Sequence, residues 1–108
     1  IVLVDVRRDL ERPSDYRLVY RLVGTRATAI RGREATGKTV GDAYFGAPLP
    51  EVLENYRLVI EEHKHVYDWS QKPADSGIMR VAETLLLPLA ADGETVDMVL
   101  VYFEVEGI

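Results

Sequence analysis

Read for its alternation of apolar and polar positions, the chain divides into two groups of strands around a helical middle. Ile1 to Arg7 is β-branched and predicts a strand, and Pro13-Ser14-Asp15 within Asp9 to Asp15 predicts a turn. Tyr16 to Val23 alternates, with Tyr16, Leu18, Tyr20 and Leu22 on one face and Arg17, Val19, Arg21 and Val23 on the other. The all-apolar set is expected to face the core, which puts Arg21 on the outer surface unless a bulge reverses it. Gly24 closes this strand, and Thr25 to Ala47, with glycines at 32, 37, 41 and 46, predicts short helices broken by turns.

Pro48 to His63 carries the best helical pattern. Leu49, Val52, Leu53, Tyr56, Val59 and Ile60 recur at three- and four-residue steps and form one stripe. Pro50 suits the first turn, Glu51 and Glu54 lie near its positive end, and His63 and Lys64 near its negative end. Three strands follow, over His65 to Lys72, Ile78 to Leu89 and Val96 to Val105, separated by Pro73-Ala74-Asp75-Ser76-Gly77 and by a hairpin turn at Ala91-Asp92-Gly93-Glu94. This order implies an α+β antiparallel sheet with helices on one face.

At 108 residues the chain is one domain, spanning 1–108. It opens on Ile1 rather than Met, from which a missing N-terminal segment is expected. Thirteen basic and eighteen acidic residues give a net charge of −5, which argues against nucleic acid and against an anionic membrane surface as partners. No apolar run reaches the ~20 residues of a membrane helix. The absence of cysteine removes disulfides, thiolate metal sites and cysteine nucleophiles, and fits a cytoplasmic location.

Tyr20-Arg21-Leu22-Val23-Gly24-Thr25, Gly32-Arg33-Glu34-Ala35-Thr36-Gly37-Lys38, Leu85-Leu86-Leu87-Pro88-Leu89, Asp92-Gly93 and Val96-Asp97-Met98 follow one another in this order. The set resembles the PAS domain, and within it an alphaproteobacterial subfamily of small stand-alone bacterial proteins. The likeness covers almost the whole chain after residue 8. It implies a five-stranded antiparallel sheet of order 2-1-5-4-3, with helices cupping its inner face around a small cavity. In such domains the cavity holds haem, flavin, a carboxylic acid or another small molecule, or is empty in a protein-interaction module. The usual output is a change in dimer contacts passed to an effector. A chance arrangement on another α+β fold, such as a cystatin-like cone, is the alternative.

Several chemistries can be weighed on the residues themselves. A flavin cysteine adduct is excluded, because the chain has no cysteine. Haem is not expected, since Glu51 to Asn55 lacks the helix histidine that haem-binding relatives use. His63 and His65 read as solvated partners of a helix end, and with Asp68 they make a poor metal set. Ser14, Ser70 and Ser76 belong to no triad motif. Gly32-x4-Gly37-Lys38-Thr39 matches a P-loop pattern, yet Val40-Gly41 follows at once where a P-loop opens a long helix.

The resemblance, with these exclusions, implies a non-catalytic sensory or regulatory domain acting in signal transduction through dimer contacts, with the cofactor unknown. Tyr20, Leu22, Tyr56, Tyr67, Trp69, Met98, Leu100 and Tyr102 are the candidate lining of an internal ligand-binding pocket. Both faces of the last strand are apolar, so the outer one needs cover. Val99, Val101, Phe103 and Val105 are assigned to that face as a homodimer surface. A ligand-free dimerisation or interaction module, and a small enzyme on a cone-shaped fold, are the alternatives. A ligand would act by favouring one packing of the sheet and so altering the dimer surface.

Overall fold

The computed structural model describes residues 1–12, 14–25, 28, 34–44, 48–73 and 79–105, with side chains described for all of these except 70–73, 79–81 and 105. Five strands, β1 (Val2–Arg8), β2 (Tyr16–Val23), β3 (Val66–Pro73), β4 (Met79–Leu89) and β5 (Met98–Val105), form one antiparallel sheet of order β2-β1-β5-β4-β3. Between β2 and β3 the described residues include a four-residue helix, α1 (Val40–Ala43), and a longer one, α2 (Leu49–Glu62). The class is thus α+β. The predicted turn at 73–77 and the motif glycine at 32 fall largely or wholly outside the described residues.

The core lies between one sheet face and α2. Val23, Val2, Val101, Leu86 and Val66 are successive cross-strand partners, so a single apolar row crosses all five strands. Tyr20, Val4 and Val99 form the next row, and Leu18 and Val6 begin a third. Against these rows α2 sets Tyr56, Val59 and Ile60, and Val40 and Ala43 of α1 join the same cluster. The helix begins after Pro48 and ends at His63, which adopts a left-handed conformation at φ 56° and turns the chain toward β3.

One irregularity decides where β2 points its side chains. Val4 pairs with Tyr20 but Leu3 pairs with Leu22, so Arg21 is an extra residue on β2. A bulge of this kind reverses the alternation beyond it. Tyr20 therefore faces the core at 2% exposure, Val23 is also buried, and Leu22 is turned outward at 49%. The expected single face of Tyr16, Leu18, Tyr20 and Leu22 ends at the bulge. Arg21 does reach the outer surface, where its Nη1 lies 3.4 Å from Asp5 Oδ2.

At the end of β2, Gly24 donates its N–H to the carbonyl of Ile1 at 2.9 Å, and a Cβ there would meet that oxygen at 3.0 Å. The β4–β5 hairpin is organised by Asp92, whose Oδ1 accepts from the N–H groups of Glu94 (2.8 Å) and Thr95 (2.7 Å). Gly93 beside it takes φ 79°, which a residue with a Cβ adopts only under strain.

Candidate functional site

The residues assigned to an internal pocket do not stay together. Tyr20 and Tyr56 are inside, at 2% and 5% exposure. Tyr67, Trp69 and Tyr102 lie on the opposite face of the sheet, exposed by 61%, 54% and 46%, and Met98 and Leu100 are half-buried on that same face. Leu22 joins them through the bulge.

The dimer assignment is reversed by the same register. Val101 pairs with Val2 and Leu86, both core residues, which places Val99 and Val101 beneath the helices at 0% and 8% exposure. Phe103 is partly buried against the core, and the side chain of Val105 lies outside those described. The physical reason is that both faces of β5 are apolar, so alternation alone carries no sign. The helices close down on compact valines, and the longer Met, Leu and Tyr side chains are left outside.

The outer face so formed is a continuous apolar surface. Leu22, Leu3, Leu100 and Leu87 are successive partners across β2, β1, β5 and β4. Tyr102, Leu85 and Tyr67 form the neighbouring row across β5, β4 and β3. Charges sit at two diagonal corners: Arg7 opposite Arg17, with Arg21 and Asp5 nearby, and Glu83 opposite Glu104, with Trp69 beyond. The Tyr67 hydroxyl hydrogen-bonds Glu83, which raises its pKa above the ordinary phenol value. Tyr102 donates to Glu104.

A groove lies at the edge of the sheet formed by β2. Tyr16, Arg17 and Leu18 of β2, Thr39 to Gly41 at the start of α1, and Pro50, Leu53, Glu54, Arg57 and Glu61 of α2 enclose an open groove of about 570 Å³. The Tyr16 hydroxyl donates to Glu61 at 3.1 Å, and partial burial and that carboxylate raise its pKa. Arg57 grips Glu54 at 2.7 Å and Glu62 at 3.2 Å.

The chemistry of the remaining candidates is modest. His63 and His65 are exposed, and among the described residues no group of three His, Asp or Glu side chains is placed to hold a metal ion. The Gly37-Lys38-Thr39 segment covers the edge of β2. Gly37 donates its N–H to the Tyr20 carbonyl at 2.7 Å, and Lys38 accepts from the Tyr20 N–H at 2.9 Å. Thr39 caps α1 by accepting from Asp42, and α1 is only four residues long. A phosphate cradle needs free amides opening a longer helix, so this segment is an edge strap.

The carboxyl groups of Glu34, Glu54 and Asp92 all lie below the ordinary range, held there chiefly by hydrogen bonds from Thr36, Arg57 and Thr95 respectively. Those donors favour the ionised form, the opposite of what a general acid needs. Among the described residues no helix is long and apolar enough to cross a membrane. No family model, curated protein or solved structure matches the chain.

Proposed function

We propose that this chain is a non-catalytic, PAS-like regulatory domain that works as a protein-interaction module through the outer face of its sheet, assembling as a homodimer. The observation that carries the reading is the unburied apolar surface itself. Leu22, Tyr67, Trp69, Leu89 and Tyr102 are each at least 39% exposed on one side of the sheet, with Leu3, Leu85, Leu87 and Leu100 between them. Contiguous apolar patches of this kind on soluble domains mark interaction sites. The basic and acidic corners lie diagonally, so a second copy turned about a two-fold axis across that diagonal sets each basic corner on an acidic one.

Sedimentation velocity tests the reading directly. The chain is expected to sediment as a dimer, and a Tyr67→Lys/Trp69→Lys variant as a monomer with an unchanged circular dichroism spectrum. A wild-type chain that stays monomeric at high micromolar concentration overturns the dimer. The second reading is a small-molecule sensor, favoured by the two tyrosines Tyr20 and Tyr56 in the interior. A co-purifying mass in the native mass spectrum would support it, and a bare polypeptide would count against it.

A further inference from the structure

The sheet order leaves β3 as an edge strand, on the side away from β2, and the hydrogen-bond phase can be carried to it strand by strand. In an antiparallel ladder, opposed residues alternate between bonded and non-bonded pairs. Val6 donates its N–H to the Asp97 carbonyl at 3.0 Å, which makes Val4–Val99 and Val2–Val101 bonded pairs of β1 and β5. Leu100 and Tyr102 of β5 therefore turn toward β4, where they bond with Leu87 and Leu85. The Leu89 carbonyl agrees, since it accepts from the Asp97 N–H at 3.0 Å. Leu86 and Thr84 then face β3 and bond with Val66 and Asp68. The N–H and C=O groups of Tyr67 and Trp69, out of phase with these, point away from the sheet. Among the described residues nothing covers them: the isolated bridge lies at Val19 on the other edge, and no hydrogen bond from outside the β3–β4 ladder reaches the backbone of 66–69.

The side chains along this edge add a charge. Tyr67 and Trp69 lie on the outer face, so Asp68 between them lies on the helix side, where it is half-buried. Among the described residues no Lys or Arg pairs with its carboxylate. An inward-pointing charge of this kind guards a bare edge against a second copy. The two-fold pairing that would use every one of the open groups sets Tyr67 of one copy opposite Trp69 of the other. It also brings the two Asp68 residues face to face in a non-bonded pair, the closer kind. Like charges there are unfavourable, whereas a lysine or arginine is attracted.

We propose that the β3 edge is a docking site for an extended basic segment of another protein, which pairs antiparallel with Tyr67 and Trp69 as an added strand and sets a lysine or arginine opposite Asp68. The open backbone groups require an extended chain. The exposed rings of Tyr67 and Trp69 take apolar side chains beside them, and the Asp68 carboxylate sets the sign of the charge in between. Strand addition draws affinity from main-chain bonds and specificity from alternate side chains. The added strand lies beside the sheet rather than on its face, so the proposal stands whether or not that face is a dimer surface.

The test uses ¹⁵N-labelled protein and a blocked heptapeptide, Ser-Thr-Val-Lys-Val-Thr-Ser, whose lysine falls opposite Asp68. The Tyr67 and Trp69 amides, fast-exchanging in the free protein, are expected to shift and to gain protection. Methylating the backbone nitrogen of the valine after the lysine keeps every side chain but removes one main-chain bond, and should weaken binding about fivefold. The same methyl group on the lysine backbone nitrogen, which points away from β3, should leave binding within about twofold. Asp68→Lys should weaken the lysine peptide about tenfold and favour the peptide with glutamate in its place. Equal binding of the two methylated peptides overturns strand addition. An unchanged charge preference in Asp68→Lys overturns the role of that carboxylate, and no response at millimolar peptide overturns both.

Discussion

The sharpest consequence of the register is that, on β5, a small truncation at Val99 should cost more than a large one at Tyr102. Val99 is fully buried in the row Tyr20–Val4–Val99, under α2. Val99→Ala removes two methyl groups, a transfer loss of about 1.6 kcal/mol at ~0.8 kcal/mol each. The unfilled space raises this to about 2–3 kcal/mol. Tyr102 is 46% exposed and meets Leu85 across the strand, an interaction on the scale of about 0.2–1 kcal/mol. With a urea m-value of about 1.5 kcal/mol/M, the Val99→Ala midpoint should fall by about 1.3–2 M, and that of Tyr102→Ala by less than about 0.7 M. Urea melts followed by circular dichroism at two low protein concentrations measure both, and a concentration dependence would reveal any contribution from dimerisation. The reasoning fails if Tyr102→Ala is the more damaging change at every concentration, because the faces of β5 would then be the other way round.

Two further outcomes follow from local geometry. His63 holds φ 56° at the end of α2, so His63→Gly should relieve left-handed strain and raise stability by about 1 kcal/mol, several degrees in Tm by calorimetry; an unchanged or lower Tm would count against it. Hydrogen bonds from the Thr95 and Glu94 amides hold the Asp92 carboxyl below its ordinary value, so its stabilisation is present above the unfolded value near 4 and is lost as pH falls through the lower folded value. Asp92→Ala should therefore be less stable than wild type at pH 7, with the gap closing as the solution is acidified below about pH 4; a pH-independent gap would refute the assignment.

The sequence by itself determined the order of the elements and nearly all of their limits. The stripe from Leu49 to Ile60 marked a helix that runs Leu49–Glu62, and Asp92-Gly93 marked the β4–β5 turn, because helix period and turn chemistry are local properties of the chain. The arrangement 2-1-5-4-3 was implied only by resemblance, and the sheet has that order. Which way the strands apolar on both sides face, and where β2 changes face, was decided by tertiary structure. Strands that are apolar on both sides, such as β5, have no polar face to break the symmetry, so only pairing with Val2 and Leu86 commits Val101, and with it Val99, to the core. The bulge at Arg21 exchanged Leu22 for Val23 in the same way, since one extra residue shifts a two-residue period by half. The groove had no sequence signal either: its walls are β2, the start of α1 and α2, segments distant along the chain.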